Sequence, residues 1–436
     1  MKKRRVKSPI CIKKLGILFF TVFTMTIIKV WMNIYDSAIV GSAVNYEMME
    51  EQLYKLIDNL PERDEIPAAS NCSVSEMMTL RKHLPAKHCV DVKAPWLNRC
   101  SFSYATRCPH STWFEKYYME EVLKGSGSSF LGVSVGCNKG FDAIDTARLG
   151  TLNPVFDKIA FAKGRGVGNE TKQDVRCERF GMNDQLDLSN ISPTNIRSGE
   201  MHCIEGLPKN AKTLRKAVKA LGLENSGFVV SNVAISDVSG KISFPSGENS
   251  AEGVENLGID ACSKNKKSKN CVEIDVYTLD SYFSKFVSSS GPVNHLSIDI
   301  EGYDAAAIQG ATNVLSRTEY LEFEYNWVGA WPQHKLSEII ESLNRKDFTC
   351  YFIGNGELWR ITGCWQDHYN IHRWSNVGCA NRKLSPKLFE VMEGVFNQTL
   401  ATEVASLNYV LNRRIGTIWD QIFLNEIRTE KYVNFV

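Results

Sequence analysis

The chain has 436 residues, a hydrophobic content of 43% and a formal net charge of +2 at pH 7. This length allows one large α/β domain with additions, or two domains, and the apolar content is ordinary for a globular protein. The near-neutral charge gives no support to nucleic-acid binding, so we expect no nucleic-acid partner.

The positive charge is concentrated at the N-terminus, where basic residues precede an apolar run. A bilayer span takes about 17–25 residues, and residues 15–35 suffice if Lys29 extends its ammonium to the far interface. We expect a cytosolic tail over 1–14, a transmembrane signal anchor over 15–35, and a single-pass type II protein of the secretory pathway, in the Golgi or endoplasmic reticulum. The alternative is a cleaved signal peptide, with small residues from Ala38 to Ala43 at the cleavage site, and a secreted product.

Cysteines and glycosylation motifs agree with this compartment. The chain has 13 cysteines; Cys11 would be cytosolic, which leaves an even number for disulfide bonds in an oxidising lumen. Acceptor motifs for N-glycosylation begin at Asn71, Asn169 and Asn397. We therefore expect a disulfide-bonded glycoprotein.

Residues 36–112 are predicted to be a stem and a cysteine-rich luminal segment. Its four cysteines lie among prolines and few long apolar runs, and they are Cys72, Cys89, Cys100 and Cys108. This pattern indicates a disulfide-stapled cap, whose connectivity the spacing does not determine. The spacings do not match a zinc site.

An α/β domain is predicted over residues 113–365, after the cysteine-rich segment. After a predicted helix from Trp113 to Leu123, Phe130 to Val135 is predicted to be a buried parallel strand that ends in Gly136. Gly140 then opens a helix, and we expect it to leave room for a ligand near the helix's free N–H groups. Such a strand, turn and helix begins nucleotide sites in doubly wound sheets. A purely structural glycine turn is the alternative.

The next elements alternate between strand and helix. A long polar stretch from about Gly150 to Gly199 is either a substrate loop or a surface insertion. Strands are predicted over Met201–Ile204, Phe228–Ile235, Val272–Tyr277, His295–Ile300, Tyr320–Tyr325, Thr349–Ile353 and Leu358–Ile361, and helices over Pro208–Ala220, Asp304–Leu315, Lys335–Leu343 and Leu384–Phe396. The pattern predicts an α/β layer fold that ends on an antiparallel hairpin, followed by a helical extension over 366–436. We expect Cys262 to pair with Cys271, and Cys364 with Cys379.

Acidic residues follow several of the predicted strands. Glu205, directly after the second core strand, can accept both hydroxyls of a ribose; the alternative is an exposed acid at a helix start. Asp237 follows the third strand, where an adenine ring would lie, or it forms a turn.

The densest acidic stretch runs from Asp299 to Asp304. Ligands of open α/β sheets bind outside the carboxyl ends of the strands. Crowded acids there should have raised proton affinity, or hold a cation or a substrate proton. We expect Asp299 and Glu301 to be functional, Glu324 on the next strand to join them, and Asp304 to cap its helix.

These residues carry a resemblance to a known family. Ser297 to Ala311, followed by Tyr320 to Asn326, resembles the signature of FkbM-type methyltransferases, which use S-adenosylmethionine. Other motifs of the family occur in the expected order, and they are Gly136 to Gly140, Glu205 to Val218, Asn232 to Phe244 and Thr278 to Phe283. The resemblance covers about Leu131 to Ile361. One departure is Ser134, because the family commonly has an acid two residues before the first glycine.

The resemblance implies a class I, Rossmann-like methyltransferase fold and an S-adenosylmethionine cofactor. The donor would lie over Gly136, Asn138 and Gly140, with its ribose on Glu205. Methyl transfer is a direct displacement, so the protein must align donor and acceptor and help to remove the acceptor proton. Asp299, Glu301 and Glu324 are the candidates for these roles, as base or for acceptor alignment. In some class I O-methyltransferases a divalent metal sits at this carboxylate cluster; the sequence allows one without requiring it, and it predicts no metal ligands.

The leading hypothesis is a membrane-anchored luminal O-methyltransferase that acts on a glycan or small-molecule acceptor, because hydroxyl compounds of that kind are abundant in this compartment. A catalytically silent binding or scaffold protein with the same fold is the first alternative. A nucleotide-dependent oxidoreductase is the second, although Gly136-x-x-x-Gly140 is not the G-x-G-x-x-G pattern of dinucleotide folds.

Overall fold

A computed structural model describes residues 71–73, 76–77, 117, 129–166, 192–248, 262, 270–353, 358–365, 369 and 375–412, with side chains as far as 401. All of them belong to the compact unit Leu56–Val436. The predicted tail, anchor and stem lie outside the described residues, as do Cys89, Cys100, Cys108 and Cys177. Of the predicted helix from Trp113 to Leu123, only Tyr117 is described, and it is helical. Within the described ranges, no helix combines the length and the apolar character that a bilayer crossing needs.

Eleven strands are present in the described ranges. They are β1 (Phe130–Val135), β2 (Gly199–Ile204), β3 (Phe228–Ser231), β4 (Ala234–Ile235), β5 (Gly240–Pro245), β6 (Cys271–Tyr277), β7 (Val293–Ile298), β8 (Thr318–Tyr325), β9 (Phe348–Ile353), β10 (Leu358–Arg360) and β11 (Ser375–Asn381). The α-helices there are α1 (Phe141–Thr151), α2 (Lys158–Arg165), α3 (Pro208–Leu221), α4 (Leu279–Phe286), α5 (Asp304–Gln309), α6 (Thr312–Leu315), α7 (Leu336–Asn344) and α8 (Pro386–Asn412).

The main sheet has eight strands in the order β10-β9-β11-β8-β7-β1-β2-β3. β1 pairs in parallel with both β2 and β7, and β3 and β8 continue the parallel arrangement on either side. All six residues of β1 are buried, as expected for an apolar strand covered on both faces. The prediction of a mixed α/β fold with a large, mostly parallel sheet is confirmed.

β11 is a strand of the main sheet that was not predicted from the sequence. It lies between β8 and β9 and is antiparallel to both, inside the segment 366–436 that we expected to be helical. Its seven residues are all buried, and a Cβ at Gly378 would lie 2.7 Å from the Tyr320 hydroxyl oxygen. Because β11 contains Gly, Asn and Ser and little β-branched sequence, its strand state comes from its two neighbours. The predicted β9–β10 hairpin is present at the sheet edge.

The predicted strand Phe228–Ile235 is divided into β3 and β4. Asn232 Nδ2 donates to the carbonyl oxygens of Glu205 (2.8 Å) and Gly206 (3.0 Å), and the chain then leaves the main sheet. β4 joins β5 and β6 in a second sheet of order β4-β6-β5. This small sheet buries its own apolar cluster around Phe244 and Ile274.

The predicted helix Asp304–Leu315 is divided into α5 and α6 at Gly310. A Cβ at Gly310 would lie 2.5 Å from the Ser236 carbonyl oxygen, so the helix meets the β4–β5 turn there. Asp280 then accepts hydrogen bonds from the backbone N–H groups of Asn313 and Val314, in the first turn of α6. The threonine-leucine-aspartate turn is therefore structural, since Thr278 also caps α4 through the Ser281 N–H.

Four disulfide bonds join described cysteines. The predicted pair Cys262–Cys271 is confirmed. The predicted pair Cys364–Cys379 is wrong, because β11 places Cys379 directly opposite Cys350, and these two are bonded. Cys364 instead bonds Cys72, which ties the cysteine-rich segment to the α/β region. The fourth bond, Cys137–Cys203, joins the glycine turn to β2.

Candidate active site

The carboxyl ends of β2, β1, β7 and β8 meet at one edge of the sheet. The strand order reverses at β1, where chain connections leave in opposite directions. Ligands of open α/β sheets bind in the crevice at such a switch point. Gly136, Glu205 and Asp299 are the residues that directly follow β1, β2 and β7, so the sheet brings these three predicted site residues to the same edge.

Both neighbouring strands hold the glycine turn after β1. The N–H groups of Gly136 and Cys137 donate to the Ile204 carbonyl oxygen at 2.9 and 3.1 Å. On the other side, a Cβ at Gly136 would lie 1.7 Å from the Asp299 carbonyl oxygen. Gly136 also has a φ of +86°, which side-chain-bearing residues rarely adopt. Glycine is therefore required here both by conformation and by the close approach of Asp299.

Gly140 has a different role from the predicted one. Its φ is +79°, but its absent Cβ would lie 2.6 Å from Leu214 Cδ2 and 3.0 Å from Phe161 Cε1. Side chains of α2 and α3 thus fill the space that we expected a ligand to use. As the N-cap of α1, Gly140 makes no side-chain hydrogen bond to that helix. The first-turn N–H groups of α1 therefore need other acceptors, such as water or a ligand.

Glu205 connects the glycine turn to the start of α3. It is buried, and its Oε2 accepts from the Asn138 N–H and its Oε1 from the Leu207 N–H, each at 2.7 Å. Burial raises the pKa of Glu205 to about 7, against the lowering effect of these two hydrogen bonds. Asn138 sits at a φ of +45° and accepts from Asn210 Nδ2 at 3.4 Å. Each carboxylate oxygen can accept more than one hydrogen bond, so this anchoring is compatible with ribose binding.

Asp237 stands apart from these residues. It is exposed in the turn between β4 and β5, and its Oδ1 accepts from the Ser236 hydroxyl at 2.9 Å. Its Cα would lie 3.1 Å from a Cβ at Gly310, near the C-terminal end of α5. Asp237 therefore belongs with the small sheet, since the chain has already left the main sheet at Asn232. The residues at the end of the third main strand are Ser231 and Asn232.

The turn after β7 has two consecutive left-handed residues. Glu301 has a φ of +54° and Gly302 of +95°. A Cβ at Gly302 would lie 2.2 Å from the Val328 carbonyl oxygen, and the Ala330 N–H donates to the Gly302 carbonyl oxygen at 3.0 Å. The turns after β7 and β8 are thus packed on each other. A left-handed glutamate is strained and persists only where its surroundings impose it, which is common at functional sites.

Asp304 does not cap its helix as predicted. It is the first residue of α5, is fully buried, and accepts from the Gly302 N–H through Oδ2 at 3.2 Å. Within the described part of the chain, Oδ1 has no hydrogen-bond partner. Burial raises the pKa of Asp304 well above its usual range, and the Asp299 charge raises it further. Asp304 therefore holds the strained turn while tending to keep a proton.

Glu324 and Glu322 point to the same face of β8, because they are two residues apart. Glu324, a predicted site residue, is buried and accepts from Asn326 Nδ2 at 2.6 Å. Glu322, which we did not predict, lies opposite Ser297 on β7 and accepts from the Tyr320 hydroxyl at 2.9 Å. Burial raises the pKa of Glu322 to about 7, with a further raising effect from Asp299. The sequence did contain a signal for Glu322, because it lies two positions before Glu324 and therefore on the same face of the predicted strand.

Asp142, in the first turn of α1, is the second acid that sequence reasoning missed. Desolvation raises its pKa well above its usual range; the charges of Asp145, Asp299 and Glu322 raise it further, against the lowering effect of Lys158. Asp142, Asp299 and Glu322 thus influence one another although they come from three elements. The edge therefore carries acids that hold protons near neutral pH, as expected for a proton-transfer site. Among the described residues, no group of His, Cys, Asp or Glu is arranged to hold a metal ion.

Comparison with known proteins supports the resemblance seen in the sequence. The family model of the methyltransferase FkbM domain matches residues 180–350, a range that runs from before β2 into β9. This range includes Glu205 and the turn after β7, whereas β1 and its glycine turn precede it. No curated protein and no solved structure matches the chain. Residues 180–350 thus match the methyltransferase FkbM domain, and this match supports a methyltransferase in general.

Proposed function

We propose that the protein is an S-adenosylmethionine-dependent O-methyltransferase that modifies a hydroxyl group of a glycan or glycoconjugate in the secretory pathway. The domain match supports methyl transfer in general. The cofactor, the oxygen acceptor and the compartment are our proposals, and each has its own support.

One observation carries the proposal. Gly136 is in hydrogen-bond contact with Ile204, immediately before Glu205, and is packed against the backbone of Asp299. The predicted donor turn, the predicted ribose acceptor and the first predicted base therefore share one edge of one sheet. Methyl transfer requires donor and acceptor to be held in line, and that alignment supplies much of the rate enhancement.

The residues present fit the proposed cofactor. The uncapped start of α1 offers N–H groups that suit the carboxylate of the donor. Glu205 keeps acceptor capacity for ribose hydroxyls while it holds Asn138 in place. When bound, S-adenosylmethionine would supply a methyl group on a positively charged sulfur. The chain would hold it by the turn from Gly136 to Asn138, by α1 and by Glu205.

Removal of the acceptor proton is the task left to the carboxylates. Asp299 and Glu301 are half-buried, whereas Glu324 is buried and its Oε2 accepts from Asn326. A base has to reach the hydroxyl that it deprotonates. We therefore assign the base to Asp299 or Glu301, and we assign Glu324 to the alignment of the turn after β8.

Four disulfide bonds among the described cysteines support an oxidising compartment. Together with the predicted signal anchor and glycosylation motifs, they favour a membrane-bound protein of the Golgi or endoplasmic reticulum. A glycan acceptor follows from this location, because glycans are its abundant hydroxyl compounds.

Calorimetry on the purified protein tests the proposal. We expect micromolar binding of S-adenosylmethionine and no binding of NAD. Asp299→Asn and Glu301→Gln should both keep donor binding, and the variant that removes the base should lose turnover. Asp275→Asn, on the exposed face of β6, is the matched control. A protein that binds no adenosyl ligand would favour the scaffold alternative, and selective NAD binding would favour an oxidoreductase. Comparing methylated sugars in cells with and without the protein would identify the acceptor.

A further inference from the structure

A disulfide bond lies inside the proposed cofactor site. Cys137 is the second residue of the glycine turn, and Cys203 is the next-to-last residue of β2. Both side chains are buried, and their Cα atoms are 5.4 Å apart. Neither cysteine was given a partner by the sequence, because they are separated by 66 positions.

The disulfide stands beside the position where the chain departs from its family pattern. Ser134 occupies the place, two residues before the first glycine, where an acid commonly helps to hold the turn. In the parallel pairing of β1 and β2, Ser134 lies opposite Cys203 itself. A serine hydroxyl lacks the charge and the length of a carboxylate. The covalent bond therefore joins the glycine turn to β2 beside the position at which the acid is absent.

We propose that the Cys137–Cys203 disulfide positions the glycine turn for the methyl donor and takes over the role of the missing acid. This inference rests on the proposed function, since it concerns the same site. Cys137 lies between Gly136 and Asn138, whose φ angles are +86° and +45°. Left-handed residues need several restraints to persist. The bond restrains Cys137, the Ile204 carbonyl holds its N–H, and Glu205 holds Asn138.

A second disulfide provides the matched control. Cys262–Cys271 closes a short connection at the start of β6 in the small sheet, and its Cα atoms are 6.0 Å apart. In the described sheets β6 pairs only with β4 and β5, so no strand pairing connects this disulfide to the glycine turn or to β2. Loss of this bond removes a covalent link but leaves the proposed cofactor turn restrained.

The test compares Cys137→Ser/Cys203→Ser with Cys262→Ser/Cys271→Ser in the full chain. Binding of S-adenosylhomocysteine is measured by calorimetry well below the melting temperature of each protein. We expect Cys137→Ser/Cys203→Ser to raise the Kd for S-adenosylhomocysteine about tenfold or more, because releasing left-handed residues costs about that much free energy. Cys262→Ser/Cys271→Ser should leave this Kd unchanged. If Cys137→Ser/Cys203→Ser does not fold, the measurement is made on Cys137→Ala/Cys203→Val, which keeps both buried positions apolar.

The outcomes separate the inference from the proposed function. An unchanged Kd in the first pair, with only a lower melting temperature, would show a purely structural crosslink and overturn the inference. An equal rise of Kd in both pairs would also overturn it, because the effect would then be general. If the wild-type protein binds no S-adenosylhomocysteine, the proposed function fails first and the inference falls with it.

Discussion

Replacing Glu322 with glutamine should stabilise the protein relative to the wild type. This gain in the free energy of unfolding should be near zero at acidic pH and should grow as the pH rises to about 7. Glu322 is 4% exposed, and its acceptor bond comes from the Tyr320 hydroxyl. Burial raises its pKa from an ordinary 4.5 to about 7, and Asp299 adds to the rise. Glutamine has the same shape, can still accept from the Tyr320 hydroxyl, and carries no charge at any pH.

The sign follows from proton binding in the two states. Below pH 4.5 the folded and unfolded chains both carry the proton, so the wild type and Glu322→Gln should be about equally stable. Between pH 4.5 and about 7 only the folded chain keeps it, so wild-type stability falls as the pH rises. At about 1.4 kcal/mol per pH unit, the advantage of the variant reaches about 3 kcal/mol by pH 8.

Urea unfolding of both proteins at pH 5, 6, 7 and 8 measures this difference. Glu273→Gln is the control, because Glu273 is exposed and pairs only at the surface with Lys241, so its effect should stay within about 1 kcal/mol at every pH. A stability difference for Glu322→Gln that does not grow between pH 5 and pH 7 would refute the reasoning. In that case the folded carboxyl would have lost its proton already at low pH.

Three further substitutions test the restraints on the site. Glu205→Gln should weaken donor binding about tenfold in calorimetry, since an amide nitrogen cannot accept one of the two backbone hydrogen bonds; an unchanged Kd would contradict the anchoring role. Gly136→Ala should prevent folding or cost more than about 3 kcal/mol in thermal denaturation, because its Cβ would overlap the Asp299 carbonyl oxygen. Gly240→Ala, in open space, is its control and should change stability by about 0.5 kcal/mol or less. Asp280→Ala should cost about 1–2 kcal/mol by uncapping α6 without changing donor affinity, and a weaker affinity would speak against its structural role.

The acids at the sheet edge affect both the stability of the fold and the proposed chemistry. Asp142, Glu322 and Asp304 all have raised pKa values, and Asp299 is among the causes in each case. Concentrating such groups lowers stability as the pH rises, because the folded chain keeps protons that the unfolded chain has already released. Stability is commonly reduced at functional sites in this way.

Much of the fold is encoded in local patterns of the sequence. The apolar run of β1, its terminal glycine and the following helix are encoded within about 20 neighbouring residues, and the structure has them at Phe130–Val135 and Phe141–Thr151. Asp299 and Glu301 also lie at a strand end as predicted. Strand ends of a parallel sheet converge on one edge, so the position of these acids followed from their place in the sequence.

Other features depended on contacts between distant segments. Glu205 proved to hold Asn138, and the hydrogen bond crosses 67 positions of sequence. Asp237 was predicted to follow the third main strand directly, because nothing local marks the point at which the chain leaves that strand for the small sheet. Gly140 was expected to face a ligand, whereas Leu214 and Phe161 from other helices occupy its empty side.

The sequence by itself determined the alternation of strands and helices, the glycine turn and the acids at the strand ends, because backbone propensity and hydrophobic periodicity are properties of neighbouring residues. Only the tertiary structure decided that β11 enters the sheet between β8 and β9, and with it that Cys379 bonds Cys350 and not Cys364. It also decided that Cys137 meets Cys203. Strand neighbours and cysteine partners depend on which distant segments bury each other's surfaces, and no short stretch of sequence contains that information.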